Sequence, residues 1–158
     1  MQIKRIVFVV GHENSGKSCT LRKLREICNA KGRRVTIDGI EFLIRSMSND
    51  DQPESYMKFM KNMKRPAIIA ALCPKFKQFE KPSNKAKTID ETLQLLRRNG
   101  YQLFFWIMGK PWSNKEQVTQ AQIKELGRYG KTELLEERIE SEARAKRLRS
   151  FILDVVLP

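Results

Sequence analysis

The sequence predicts an α/β protein in three layers, with helices on both faces of a five-stranded, mainly parallel sheet. Two patterns predict this class. Short apolar runs rich in β-branched residues recur along the chain, and between them lie longer segments with apolar residues at helical spacing. This alternation is typical of right-handed βαβ units, in which each helix packs back on the sheet formed by its strands.

Five apolar runs are predicted to be strands. Residues 3–10 are apolar almost throughout, as expected of a strand buried on both faces of a parallel sheet. Residues 34–40 form the second run, which contains Asp38-Gly39. The remaining strands are predicted at residues 67–73, 103–108 and 151–157.

Helices are predicted between these strands. The first begins at Lys17, carries Leu21, Leu24 and Cys28 on one face, and is expected to end near Gly32. Further helices are predicted over residues 88–98, 115–126 and 132–148. Residues 41–63 also carry apolar residues at helical intervals, interrupted at residues 49–53.

A chain of 158 residues is the size of one domain. We expect residues 1–158 to form a single domain, with a lid element around residues 110–148. No apolar run approaches the roughly 20 residues needed to cross a bilayer, and no secretory cleavage site follows the amino terminus. Because the three cysteines show no paired spacing, neither a disulfide framework nor a zinc site is indicated. We expect a cytoplasmic protein without a membrane partner.

The net charge of +13 is unusual for a chain of this length. It favours polyanionic partners or anionic substrates, and it carries no information about fold. Lysines are dense over residues 58–65 and 75–87. Two interpretations remain open at this point: a basic, solvated surface, or a face that binds nucleic acid or phosphate.

Residues 11–18 read Gly-His-Glu-Asn-Ser-Gly-Lys-Ser, between the first predicted strand and the first predicted helix. This is the P-loop pattern, in which glycines let the backbone wrap around phosphates. Lys17 would reach the β and γ phosphates, and the Ser18 hydroxyl would bind Mg²⁺. The motif therefore predicts binding of ATP or another nucleoside triphosphate with Mg²⁺. The residues expected at this nucleotide are Gly11, Asn14, Ser15, Gly16, Lys17, Ser18 and Cys19.

Three side chains in this region have more than one interpretation. His12 is the only histidine, which invites an acid–base role, but its position in the motif tolerates many residues. Glu13 occupies a similarly variable position. Cys19 lies near a helix N-terminus, where a thiol pKa can fall, and its side chain is expected to pack in the protein.

The wider pattern resembles the small P-loop kinases, the group that includes adenylylsulfate, nucleotide and polynucleotide kinases. The base-reading Asn-Lys-x-Asp motif of GTPases is absent, and the third strand runs into Cys73-Pro74 without a carboxylate. Strand-end Asp38-Gly39 and an apolar strand entering a proline are features of adenylylsulfate kinase. The resemblance implies a P-loop NTPase fold in which Asp38 lies across the phosphates and orients or deprotonates an acceptor hydroxyl. Ile40 and Glu41 depart from that family's pattern, so adenylylsulfate itself is not the expected substrate.

The last third of the chain has a looser likeness to the guanylate-kinase type of lid, carried by residues 127–130 and Arg138. This likeness implies that Arg128 and Arg138 neutralise charge during phosphoryl transfer. Arg144 is a further candidate. The alternative is a solvated helix face, because Arg138 and Glu142 have the spacing of an ordinary surface pair.

The leading hypothesis is an ATP-dependent phosphotransferase acting on a nucleotide or nucleic-acid acceptor, with Lys17, Asp38, Arg128 and Arg138 as catalytic residues. The alternative is a nucleotide-dependent NTPase that binds nucleic acid and has no kinase acceptor. The missing carboxylate after the third strand favours this alternative.

Overall fold

The structure is a computed structural model that describes residues 2–109 and 116–158. Strands and helices alternate along most of the chain. In chain order they are β1 (Lys4–Val10), α1 (Lys17–Ile27), β2 (Arg34–Ile37), β3 (Ile40–Arg45), α2 (Pro53–Lys61), β4 (Ala67–Leu72), α3 (Asp90–Arg98), β5 (Tyr101–Met108), α4 (Gln120–Gly127), β6 (Gly130–Leu135) and α5 (Ser141–Phe151). Two 3₁₀ turns, Lys77–Phe79 and Pro82–Lys87, lie between β4 and α3, and a π-helical turn, Ile152–Val156, continues α5.

The strands form one six-stranded sheet in the order β2-β3-β4-β1-β5-β6. Only β2 runs antiparallel to its neighbour. β1 lies near the middle of the sheet, paired on one side with β4 and on the other with β5. The prediction of a mainly parallel sheet is confirmed, but the described residues form six strands rather than five.

Helices cover both faces of the sheet. Val7 and Val9 of β1 point into a core shared with α1 and α5, whereas Ile6, Phe8 and Val10 point into a core shared with α2, α3 and α4. This two-sided burial explains why β1 is apolar almost throughout. The α/β class is confirmed. In the described part of the chain, no helix combines the length and apolar character that a membrane span requires.

The run predicted as one strand over residues 34–40 is half of a β-hairpin. Asp38 and Gly39 form its two-residue turn, with φ angles of 49° and 76°. Positive φ at both central residues is the type I′ geometry that joins twisted antiparallel strands, and Asp-Gly is one of its preferred pairs. β3 therefore follows immediately and runs parallel to β4.

Two predictions for the carboxyl-terminal third are wrong. Residues predicted as the start of a helix over 132–148 belong to β6, an edge strand exposed along most of its length. Residues 151–157, predicted as a strand, contain the last residue of α5 and the π-helical turn. Of the expected lid, residues 110–115 lie outside the described residues; within 116–148, β6 belongs to the sheet and α5 packs on α1.

A substitution at Gly130 tests the pairing of β5 with β6. A Cβ at Gly130 would collide with the backbone carbonyl of Leu103, whereas a Cβ at Gly127 would meet no atom within 4 Å. We expect Gly130→Ala to lower the free energy of unfolding by about 1–3 kcal/mol, because a backbone carbonyl cannot move aside without disturbing the ladder. Gly127→Ala is the matched control and should leave stability unchanged or raise it by up to about 1 kcal/mol. Urea unfolding of both variants measures this, and equal stabilities would contradict the β5–β6 register.

Candidate functional site

The strand order creates a crevice at the carboxyl ends of β1 and β4. From β1 the chain passes through α1 to β2 and β3, whereas from β4 it passes through α3 to β5 on the other side of β1. Neighbouring strands that lead in opposite directions leave an open crevice, and ligands of open α/β sheets bind in such crevices. Residues 11–18, called loop 11–18 below, enter the crevice from β1, and Cys73 enters it from β4.

The backbone of loop 11–18 is tightly curled. Gly11 N–H donates to the Leu72 carbonyl (3.0 Å), which ties the loop to β4, and Ser15 N–H donates back to the His12 carbonyl (3.1 Å). Asn14 and Gly16 take positive φ angles of 60° and 101°. Any side chain at Gly11 would overlap Ser15. Both glycines of the motif are therefore required by the shape of the loop.

The start of α1 faces the crevice. Gly16 is the N-cap of this helix and has no side chain with which to accept a hydrogen bond from the first turn. The first N–H groups of a helix have no partner inside the helix, and together with the helix dipole they favour an anion. A phosphate oxygen fits this end of the helix.

Lys17 is buried and turned back on its own loop. Its Nζ donates to the carbonyls of Gly11 (2.6 Å) and His12 (2.8 Å). Burial lowers the pKa of Lys17, because the charged ammonium loses hydration. The two carbonyl bonds replace part of that hydration and hold the positive charge inside the curl of the loop.

A cavity of about 340 Å³ lies against the loop, lined by residues 13–19 and by Asp51. Ser15 supplies a further feature that fits a phosphate ligand: its Oγ is buried and has no hydrogen-bond partner among the described residues. A buried hydroxyl without a partner costs about 1–3 kcal/mol, and an anionic oxygen would satisfy it. Ser18 is exposed at the same cavity. The group that these residues fit is a phosphate chain with its cation.

Asp51 faces loop 11–18 from the segment between β3 and α2. Its Oδ2 accepts hydrogen bonds from the backbone N–H and the hydroxyl of Ser48, both at 3.1 Å. Neither of these bonds uses Oδ1. The carboxylate is thus held in position while it lines the cavity, which is the geometry needed to orient a hydroxyl or a metal-bound water.

Asp50, the residue before Asp51, forms an ion-pair network instead. Its Oδ1 accepts from Lys75 (2.5 Å) and lies 3.4 Å from Lys87 Nζ. Burial alone would raise the pKa of Asp50, but the hydrogen bonds and charges of the two lysines outweigh burial and lower it. The network ties the β3–α2 segment to the segment that follows β4.

Arg144 of α5 supports loop 11–18 from the other side. Its Nε donates to Thr20 Oγ1 (2.9 Å), and the Thr20 hydroxyl in turn donates to the Gly16 carbonyl (2.8 Å). Its Nη1 donates to the Ile139 carbonyl (2.8 Å). A Cβ at Gly16 would come within 2.9 Å of Arg144 Nη2, so the guanidinium lies directly against the loop.

His12 joins the loop to α4 and β4. Its Nε2 lies 3.1 Å from Gln122 Oε1, and its Nδ1 lies 3.0 Å from Glu116 Oε2 and 3.6 Å from Cys73 Sγ. Burial raises the pKa of Cys73 to about 12, which keeps its sulfur a neutral thiol. Both ring nitrogens of His12 are engaged, and His12 does not line the cavity. Its geometry is that of a structural link.

The structure separates the sequence-predicted residues into two groups. The loop residues and Cys19 line one cavity or build its walls. Asp38, in contrast, lies in the β2–β3 turn at the amino edge of the sheet, because β2 is antiparallel and β3 begins there. The expectation that it faces loop 11–18 is wrong. Asp51 was not identified from the sequence. A signal that could have found it is Asp38-Gly39, because a hairpin turn at this pair makes the apolar run of residues 40–45 a strand, and Asp51 follows that strand.

The predicted arginines are also separated. Arg128 caps the carboxyl end of α4, beside the start of β6 and hence at the amino edge, where it pairs with Glu125. Arg138 follows β6 at the same edge as loop 11–18, and it lines a different cavity with Gln117, Glu136 and Glu137. Arg144, the third candidate, lies directly against the loop.

The described residues contain no group of three or more histidine, cysteine and acidic side chains placed to hold a metal ion. Mg²⁺ bound with a phosphate ligand needs no such cage, since it retains waters and takes only one or two protein oxygens. Ser18 and Asp51 are two of the oxygen donors at this cavity suited to that role.

Comparison of the chain with known proteins gives no match to a protein-family model, to a curated protein or to a solved structure. A function for this chain therefore rests on the geometry of the site.

The contact between Arg144 and Thr20 can be measured by a double-mutant cycle. Thr20→Val leaves the buried Arg144 Nε without its acceptor, so we expect a loss of about 1–3 kcal/mol in the free energy of unfolding. Combined with Arg144→Met, the loss should be smaller than the sum of the single losses by about 1 kcal/mol or more. Thr20→Ser, which keeps the hydroxyl, is the control. Strictly additive losses in urea unfolding would contradict this contact.

Proposed function

We propose that this chain is a P-loop phosphotransferase that binds ATP or another nucleoside triphosphate with Mg²⁺ and transfers the terminal phosphoryl group to a nucleotide or nucleic-acid acceptor. The observation that carries the proposal is the single cavity in which the start of α1, the Lys17 loop and the Asp51 carboxylate meet. Phosphoryl transfer needs positioning and neutralisation of charge more than covalent chemistry. The start of α1 and Lys17 are suited to neutralise charge, and Asp51 is suited to position an acceptor.

Each residue has a definite role in this proposal. Lys17 exchanges the carbonyls of Gly11 and His12 for phosphate oxygens, and the N–H groups at the start of α1 bind the same oxygens. Ser18 holds the cation, whose charge offsets that of the phosphates. Asp51 accepts the proton of the acceptor hydroxyl while that oxygen forms the new bond to phosphorus and the bond to the leaving diphosphate breaks.

Arg144 is a positioning residue in this scheme. It acts through Thr20 and the backbone at Gly16, so it fixes the curl of loop 11–18 without itself contacting the transferred group. The role that the sequence assigned to Asp38 passes to Asp51, because Asp51 lines the cavity of the loop and Asp38 does not.

A nucleotide-dependent NTPase that binds nucleic acid without a kinase acceptor is the second candidate. The observation that favours it is the carboxyl end of β4, where Leu72 is followed by Cys73 and not by an acidic residue. Acceptor-dependent turnover separates the two functions. A kinase consumes ATP stoichiometrically with phosphorylated acceptor, whereas the alternative releases inorganic phosphate whether or not an acceptor is present.

Lys17 should be required for nucleotide binding and turnover. We expect Lys17→Met, which keeps the length of the side chain, to lower transfer at least about a hundredfold and to weaken Mg-ATP binding, because the loop loses its point charge. Chelation of Mg²⁺ should abolish transfer in the wild type. The control is Lys23→Met in the same helix, where a surface pair with Glu26 is lost and activity should not change. Wild-type affinity and turnover in Lys17→Met would remove loop 11–18 from the function.

Asp51 and Asp38 provide a matched pair of aspartate variants. We expect Asp51→Asn to lower transfer at least about a hundredfold, because an amide cannot accept the hydroxyl proton. Asp38→Asn should leave transfer unchanged and the hairpin intact, since Asn-Gly is also a preferred type I′ pair. Steady-state transfer assays and Mg-ATP titrations distinguish the variants. The reverse result, loss with Asp38→Asn alone, would contradict the assignment of Asp51.

A further inference from the structure

The segment between β4 and α3 is the most basic part of the carboxyl edge. Residues 74–88, called the lysine loop below, contain five lysines and a single acidic residue, Glu80. The lysines are Lys75, Lys77, Lys81, Lys85 and Lys87. A charge excess of this size on one connecting segment is the electrostatic signature of a polyanion site.

The lysine loop begins and ends beside the proposed nucleotide site. The buried Asn49 donates through Nδ2 to the carbonyls of Cys73 (2.9 Å) and Lys87 (2.7 Å), so both ends of the loop meet at one side chain. Asn49 lies two residues from Asp51, which lines the cavity of loop 11–18. Lys75 and Lys87 also pair with Asp50. Both ends of the loop are therefore held next to the proposed site of transfer.

Two 3₁₀ turns and a hydrogen bond to α3 hold the middle of the lysine loop in place. The backbone N–H of Lys77 donates to Asp90 Oδ1 (2.9 Å), and Lys77 Nζ pairs with Glu91 (2.8 Å). Lys81, which directly precedes the second turn, and Lys85, which lies within it, are both exposed. The lysines thus differ in use: some are engaged in ion pairs within the protein, while Lys81 and Lys85 face solvent.

Phe79 gives this basic loop an aromatic surface. Its side chain is 43% exposed, and in sequence it lies among the lysines of this loop. Its ring meets the fully buried ring of Phe76 edge to face, with centroids 6.2 Å apart. Contact with a buried ring restricts the orientations open to an exposed ring, which lowers the entropic cost of stacking a ligand on it.

We infer that the lysine loop binds a single-stranded nucleic acid, with a base stacked on Phe79 and backbone phosphates paired with Lys81 and Lys85. Proteins that hold single strands combine these two elements, a positive track for the backbone and an aromatic face for the bases. A base inside a duplex has no free face to offer. The loop would hold the strand beside Asp51, so this inference rests on the proposed function and identifies its acceptor as a single strand.

The other lysine-rich segment, residues 58–65, does not fit this role. It belongs to α2 and to the chain that leads back to the start of β4, so its later residues approach the amino edge of the sheet. Two of its exposed lysines, Lys61 and Lys64, therefore provide a control with the same charge at the opposite edge.

Binding of fluorescently labelled oligo(dT) and oligo(U) of about 20 nucleotides, measured by anisotropy without ATP, tests the inference on the intact chain. We expect Phe79→Ala to weaken binding about 5- to 100-fold and Phe79→Tyr to restore it, because stacking needs an aromatic ring. The dT and U arms distinguish DNA from RNA as the source of the strand. A duplex of the same length should bind more weakly than either strand. Equal binding by wild type and Phe79→Ala would overturn the stacking role.

The salt dependence tests the lysines. Lys81→Gln with Lys85→Gln should flatten the slope of log affinity against log salt by up to about 1.4, at roughly 0.7 per phosphate contact on a single strand. Lys61→Gln with Lys64→Gln removes the same charge and should flatten it less. Equal effects of the two double variants would overturn the location, and undetectable binding at low salt would overturn the inference.

Failure of this inference is distinguishable from failure of the proposed function. Oligonucleotide binding that depends on Phe79, without any transfer of labelled phosphate, supports the lysine loop as a strand site and contradicts the phosphotransferase. Transfer to free nucleotides with no oligonucleotide binding supports the phosphotransferase and overturns the strand site. Lys17→Met should abolish transfer to the strand without weakening strand binding, because the two ligands contact different residues.

Discussion

The central position of β1 is the constraint on which the rest of the structure depends. Its side chains are buried on both faces, and its neighbours β4 and β5 occupy both edges, so the chain can change direction only beyond the ends of the strand. Since β1 and β4 lead to opposite halves of the sheet, the segments that leave them lie side by side with no crossover above them. The strand order brings together loop 11–18, Asp51 and the lysine loop, although they are distant in sequence.

Within this crevice loop 11–18 is held in a curled shape by contacts of the protein itself. Lys17 bonds two loop carbonyls, Gly11 is tied to β4, and Thr20 links the Gly16 carbonyl to Arg144. Anionic oxygens accept stronger hydrogen bonds from an ammonium than neutral carbonyls do. A phosphate ligand would therefore exchange partners with Lys17 without having to build the loop, and such preorganisation reduces the entropic cost of binding. Because Arg144 comes from α5, the helix farthest along the chain supports the earliest loop.

The sequence was sufficient to predict the elements at the start of the chain, whose structure is determined locally. β1, loop 11–18 and α1 follow from an apolar run, two glycines and a helical repeat within 25 residues, and the structure has them in place. Placement across the sheet was not predictable in this way. Asp38-Gly39 fits both a strand end and a hairpin turn, and only the hairpin reverses the chain and moves Asp38 to the amino edge. β6 is an edge strand with an exposed, polar pattern, so its periodicity is weak. The apolar run that ends the chain was ambiguous because its buried residues, Phe151, Ile152 and Val156, also have helical spacing.

The net charge of +13 does not give the number of phosphate contacts, because some of the basic side chains form ion pairs within the protein. Lys75 is mostly buried against Asp50, and the Asp50 carboxylate is stabilised in its charged form by that contact. Replacing Lys75 would leave a partly buried carboxylate without its partner, so a loss of nucleic-acid binding in such a variant would report on the β3–α2 segment as much as on the ligand. Lys81 and Lys85 carry no such structural role among the described contacts. A basic protein of this kind has to be tested lysine by lysine, since the charges that hold the site together and the charges proposed to meet a ligand lie on the same loop.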